Sequence, residues 1–262
     1  MSPDGSRKTI DVSERDARGP RAKAALAMSL IVLVLACSRS AFAQTSYQPE
    51  HGEWEASIFA GGSFAGNYQF PTPVSGSDQE FSRSVGMRYI PGYQIGLRVS
   101  QNLNDFWGVD LEYSFANQEL QLTNLSPSIQ RLSLCHFIHD LTYNVSYLPL
   151  PPTKRFRPYA DVGVGAALFY ICGRSRQEAM NLGLDIRSSW EFVGNWGGGF
   201  KYLIADHYAV TFDLKDRLSR IPSYGIPVSA RVVGGQFQPG ISLHGVMQNW
   251  QINFGFSYQW DE

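Results

Sequence analysis

From Trp250 to Trp260 the chain alternates without a break. Trp250, Ile252, Phe254, Phe256, Tyr258 and Trp260 are apolar or aromatic; Gln251, Asn253, Gly255, Ser257 and Gln259 between them are polar or small. A period of two marks a strand, whose successive side chains point to opposite faces. One face of this strand is greasy and the other wet. The pattern recurs upstream. Trp54, Ala56, Ile58 and Ala60 alternate with Glu55, Ser57 and Phe59, and Tyr93, Ile95, Leu97 and Val99 alternate with Gln94, Gly96 and Arg98. Trp107 to Phe115, Leu141 to Tyr147, Ala160 to Tyr170 and Tyr208 to Leu214 repeat it, and Phe192 to Tyr202 does so more weakly. With the closing segment this makes eight predicted strands.

The connections sort by length. Those near Gly66 to Arg88, Glu119 to Arg131, Gly173 to Trp190 and Ser219 to Gly245 read as long. Asn102 to Asp105 and Ala205 to His207 are short, and the proline-containing segment around Pro151 is of moderate length. Long connections on one side and shorter ones on the other, through an even number of strands, is the asymmetry of a bacterial outer-membrane barrel. About 9 to 11 tilted residues cross the hydrocarbon layer, and an eight-stranded barrel has an interior nearly filled by side chains. The predicted fold is therefore all-β: an eight-stranded antiparallel meander closed into a transmembrane β-barrel, with closure removing the sheet edges that a bilayer cannot hydrate.

The first residues follow a different rule. Arg15, Arg18, Arg21 and Lys23 precede an apolar run from Ala24 to Ala36, and the small-x-small triplet Ala41-Phe42-Ala43 follows. Basic segment, short apolar segment and such a triplet read as a secretory signal peptide, residues 1–43. Val34-Leu35-Ala36-Cys37 is a weaker, lipoprotein-like alternative. Residues 44–52 read as a short periplasmic leader and 53–262 as the barrel domain. The signal peptide holds seven of the 22 Lys and Arg and four of the 23 Asp and Glu. The mature chain is then mildly acidic, which excludes a basic footprint for nucleic acid.

The wet face carries Glu55, Arg98, Asp110, Glu112, Asp140, Asp161, Lys201, Asp213 and Lys215. Charges of both signs on one face suit an ion-pair network in a lumen; they also suit the exterior of a soluble barrel. The aromatic, charge-free opposite face and the sorted connections favour the membrane reading. If the charges pair, the lumen is blocked; if they leave a water path, the barrel is a narrow passive pore.

Arg157-Pro158-Tyr159-Ala160-Asp161-Val162-Gly163-Val164-Gly165 resembles the R-P-Y-x-x-x-G-x-G strand of bacterial outer-membrane β-barrel domain proteins, the OmpA-like eight-stranded superfamily. Asn195 to Tyr202 with Asp206 resembles the N-x-G-G-G-x-K-Y strand and turn of that family, and Thr211 to Arg217 resembles its next strand. Gly255, Tyr258 and Trp260 fall at the G-x-x-aromatic-x-aromatic spacing of the family's C-terminal insertion signal, although Asp261 and Glu262 follow where the pattern ends. The resemblance implies outer-membrane localisation in a Gram-negative-type bacterium and insertion by the barrel-insertion machinery. It also implies contact with outer-membrane lipid and lipopolysaccharide. No peptidoglycan-binding domain is recognised after the barrel.

Cys135 and Cys172 flank the proline-containing connection almost symmetrically. A hairpin centred there pairs them on one face, along with Tyr143 against Val164 and Val145 against Val162, so a disulfide in the oxidising periplasm and a pair of free thiols are both open. His51, His136, His139, His207 and His244 show no metal-ligand spacing, and neither metal nor cofactor is expected. Ser133 and His139 share a strand face, as the Ser and His of lipid-A-modifying barrel enzymes would. They lie six residues apart with no acidic group nearby, so an enzyme is the weakest reading. The expected role is structural or interactive, with four outward loops, carrying Tyr68, Phe70, Phe81, Tyr224 and Phe237, offered to an unidentified ligand.

Overall fold

The structure is a computed structural model that describes residues 54–71, 84–125, 129–226, 231–233, 236–238, 241 and 243–260. The segments assigned above to the signal peptide and leader, with Phe81, Asp261 and Glu262, lie outside the described residues. In chain order the elements are β1 (Trp54–Ala65), β2 (Asn67–Pro71), β3 (Ser84–Ile90), β4 (Gly92–Asn102), β5 (Trp107–Thr123) and β6 (Arg131–Tyr147). They continue with β7 (Phe156–Ile171), α1 (Gly173–Asn181), β8 (Ser189–Ala205), β9 (Tyr208–Arg220), β10 (Arg231–Val233), β11 (Gln236–Gln238) and β12 (Val246–Trp260). Eight of these, β1, β4, β5, β6, β7, β8, β9 and β12, pair antiparallel around a closed ring. The ring closes where β1 meets β12, from Trp54 opposite Trp260 to Ala65 opposite Asn249.

Burial follows the two-residue period. Outward positions such as Ile58, Leu97, Leu111, Leu141, Val162 and Phe254 are exposed, and the polar positions between them are buried. That inversion of the soluble rule suits a wall with lipid outside and a packed lumen inside. Aromatic rings crowd the end that carries the short turns: Trp107 lies 5.1 Å from Tyr147, Tyr208 lies 5.6 Å from Phe256, and Tyr258 stacks on Trp260. Rings with an apolar body and a polar tip favour the membrane interface.

The strands are unequal in height. β5, β6 and β8 are 17 residues long, well beyond the roughly 9 to 11 needed to cross the hydrocarbon layer. The excess stands above the membrane on the side of the long connections. Strand there replaces some of the expected loop. The connection expected from Glu119 to Arg131 shrinks to residues 124–130, because Leu120 and Leu122 point inward and pack. The backbone turns at Asn124, whose φ is 59°, and the Asn124 N–H donates to the Gln130 carbonyl at 2.9 Å. The first long loop is a hairpin, β2 with β3, that continues the β1 and β4 pair. Its two strands change face together at Gly66 and Pro91: Phe64 and Tyr93 point outward below the corner, while Tyr68 and Tyr89 turn inward above it. On β5 the stretch Ala116 to Glu119 is one residue shorter than its partner stretch Ile90 to Gln94, a β-bulge around Pro91, which has no N–H to donate.

Candidate functional site

The lower half of the lumen is an ion-pair network. Glu112 on β5 is its hub, accepting from Arg98 at 2.8 Å, Lys215 at 2.9 Å and Arg217 at 2.5 Å. Arg98 also donates to Asp213 at 3.1 Å and lies 3.9 Å from Asp110. Lys215 pairs with Asp161 at 2.6 Å, Arg217 with Asp140, and Lys201 with Glu55, which also accepts from Gln259 at 3.0 Å. All of these residues are buried. Arg98 meets Glu112 and Asp110 along the wall, on the neighbouring strand, while most of the other pairs cross the barrel. In the ring order, β5 and β9 are diametrically opposed, so Glu112 and the Lys215–Arg217 pair strut the full width of the lumen. Arg98 to Asp213, Lys201 to Glu55 and Arg217 to Asp140 each join strands three apart in the ring. Buried charges survive in low dielectric only when paired, and this mutual arrangement supplies the pairs.

Above the charges lies an amide layer. Gln94 donates to Gln251 at 3.1 Å and to Asn253 at 3.2 Å; Gln118 donates to Ser63 at 2.8 Å, and Ser63 to Asn249 at 2.9 Å. Phe59, the one large ring on the wet face of β1, fits where Gly96 and Gly255 leave space. A Cβ at Gly96 would come within 2.2 Å of the Phe59 ring, and one at Gly255 within 2.4 Å of Thr211 Oγ1. The Arg98 guanidinium lies 5.5 Å from the Phe59 ring centroid, within cation–π range.

The upper half of the lumen is apolar. Met87, Leu120, Leu122, Leu134, Ile138, Phe169 and Ile171 point inward from the strands, and Ala179, Ile186, Tyr224, Ile241 and Leu243 descend from the connections to meet them. Tyr224 is placed by a left-handed pair, with φ of 49° at Tyr224 and 74° at Gly225. Its hydroxyl shares hydrogen bonds with Tyr89 Oη at 2.9 Å and His136 Nε2 at 3.0 Å, which gives three polar groups partners inside a greasy plug. Burial pushes the Tyr224 hydroxyl well above the ordinary tyrosine value, so it stays protonated and available to donate.

The nine charges singled out in the sequence are brought together here, and Arg217 joins them. It shares the face of Asp213 and Lys215, and extending the strand by one more alternation would have found it. Tyr159, which donates to Asp213, and Arg157, which donates to the Asp105 carbonyl at 3.0 Å, are further members from β7. Cys135 and Cys172 are bridged, with Cα atoms 5.5 Å apart, in the same register that sets Tyr143 opposite Val164. The bridge ties β6 to the start of α1. Tyr258 and Trp260 end β12 in the aromatic belt, and Gly255 faces the lumen. His136 and His139 point to opposite faces, and His139 Nδ1 lies 2.9 Å from the Tyr113 hydroxyl. Among the described residues no cluster of His, Cys, Asp and Glu has the geometry to hold a metal ion.

A closed, lipid-facing barrel with eight membrane strands defines the class: an integral outer-membrane β-barrel protein. The chain matches the model of the outer membrane protein beta-barrel domain family over residues 29–259 and belongs to that family. Its structure is similar to the outer membrane protein OprG from Pseudomonas aeruginosa, with a TM-score of 0.53, 17% identity, and coverage of 81% of this chain and 98% of that one. The N-terminal β-barrel domain of Pseudomonas aeruginosa OprF aligns with a TM-score of 0.40 and 13% identity over 80% of this chain and 98% of that one. The outer membrane protein AlkL aligns at 0.48 and 14% over 84% and 96%. No curated protein matches the sequence.

Proposed function

We propose that this protein is a non-conducting outer-membrane barrel with a structural or surface-interaction role and no enzymatic activity. The observation that carries the reading is the strutting of the lumen. Glu112 reaches Lys215 and Arg217 on the opposite strand, and an apolar plug including Tyr224 and Ile186 lies above it. An ion crossing the barrel would have to break paired charges and then enter a dry layer, and both steps are costly. The outward side is built for display. β5, β6 and β8 rise above the bilayer, α1 is held by the cysteine bridge, and the connections form the surface offered to lipopolysaccharide and to an external ligand. On the lipid face the hydrogen-bond partner of the His139 ring among the described residues is the Tyr113 hydroxyl, not a carboxylate.

The test is conductance of the heat-modifiable, purified mature protein in planar bilayers. Silence across the usual voltage range is expected. Discrete current steps in the wild type that change size in Arg98→Ala would replace this reading with the narrow pore.

A further inference from the structure

The lipid-facing side of β9 runs Tyr208, Val210, Phe212, Leu214 and then, in the same outward row, Asp216. Its alternation calls for an apolar group there. Asp216 is only 1% exposed, yet neither carboxylate oxygen has a side-chain hydrogen-bond partner. The backbone N–H of Asn249 lies against the carboxylate, and among the described residues no Lys or Arg pairs with it. What covers it is aromatic. Asp216 stands opposite Trp250 on β12 and Trp196 on β8. The two indole centroids lie 5.8 Å apart at 77°, an edge-to-face pair that meets across the strand carrying Asp216. Phe64 lies beside Trp250 on β1. On the β8 side the outward row has a gap at Gly194, where an added Cβ would meet nothing within 4 Å.

Height matters. Eight residues along the strand from the interfacial Tyr208, at about 3.3 Å each and a tilt near 40°, put Asp216 about 20 Å above that belt, near the upper edge of an apolar band about 25 Å tall. Head groups begin there. A carboxylate in a lipid-facing row is costly and is retained where it has a partner. Indole rings beside a carboxylate are recognition chemistry for an ammonium group: cation–π attraction to a ring face and a charge-assisted hydrogen bond donated to the acid.

We propose that Asp216, Trp196 and Trp250 form a lipid-facing site for the ammonium of a membrane amphiphile's head group, with the chain of that lipid lying in the gap at Gly194. Because Asp216 lies under the touching rings, the exposed indoles part to admit the ammonium, which then bonds the Asp216 carboxylate.

The experiment is native mass spectrometry of the mature protein released from micelles holding equal amounts of phosphatidylethanolamine and phosphatidylglycerol with matched acyl chains. The wild type is expected to retain the amine-bearing lipid about fivefold over the other, the scale of one exposed cation–π contact. Asp216→Asn should abolish the preference, and Trp250→Leu should weaken it, with heat-modifiable migration showing that each variant is folded. Should Asp216→Asn fail to fold, tetramethylammonium added to the wild type should strip the retained lipid. Equal retention of both lipids by the wild type would overturn the proposal, as would an unchanged preference in folded Asp216→Asn. So would a dimer that Asp216→Asn dissociates, which would give the carboxylate to an interface between copies.

Discussion

Replacing Lys215 by Met tests whether the lumen charges act as struts. Lys215 is fully buried, with carboxylates of Glu112 at 2.9 Å and Asp161 at 2.6 Å. Methionine keeps most of its volume and removes its charge. Glu112 then still has Arg98 at 2.8 Å and Arg217 at 2.5 Å. Asp161 does not: among the described residues Lys215 is its one cationic partner. The variant therefore leaves one buried carboxylate uncompensated, which costs about 3–5 kcal/mol. Removing the stranded partner as well should reverse most of that loss. Lys215→Met with Asp161→Asn is expected within about 1 kcal/mol of wild type, because replacing both members of a buried pair is often neutral. Asp161→Asn alone should cost less than Lys215→Met, since Lys215 keeps Glu112. The assay is urea unfolding of the barrel refolded into lipid vesicles, followed by tryptophan fluorescence and by heat-modifiable migration. The four variants form a double-mutant cycle. A Lys215→Met barrel as stable as wild type, or a double variant no better than the single, would refute the pairing.

Gly255→Ala should destabilise the folded barrel by about 1–3 kcal/mol through overpacking against Thr211 and Phe59; combining it with Thr211→Ala should recover part of the loss in the same urea assay. Recovery would separate a lumen-packing role for Gly255 from its place in the insertion motif, and no recovery would count against the packing explanation. Tyr224→Phe keeps the ring but strips His136 and Tyr89 of a shared hydrogen-bond partner, at a cost of about 1–3 kcal/mol. Limited proteolysis should then cut residues 221–245 faster than in wild type, and an unchanged rate would mean that the hydroxyl does not latch the plug.

The two-residue alternation by itself determined a great deal: the two-faced wall, the closing β1 and β12 pair, the hairpin register that sets Cys135 opposite Cys172, and the side to which each of nine charges points. Parity does this because a strand fixes the face of every side chain locally. Tertiary structure alone decided which charge meets which. Glu112 and Lys215 stand on opposite strands, and their contact depends on how the ring staggers when it closes, which no local pattern encodes. The dry upper half also lay beyond local reading. Leu120, Leu122, Ile138 and Phe169 are inward apolar residues at polar-face positions, and they make sense only once the strands rise above the bilayer and Tyr224 folds back into the mouth. Asp216 shows the same limit from outside. A carboxylate in a lipid-facing row looks like the end of a strand, so the alternation reads as finished at Lys215. Parity alone carries the strand on to Arg217; only the closed sheet brings Trp196 and Trp250 together over Asp216 from two neighbouring strands.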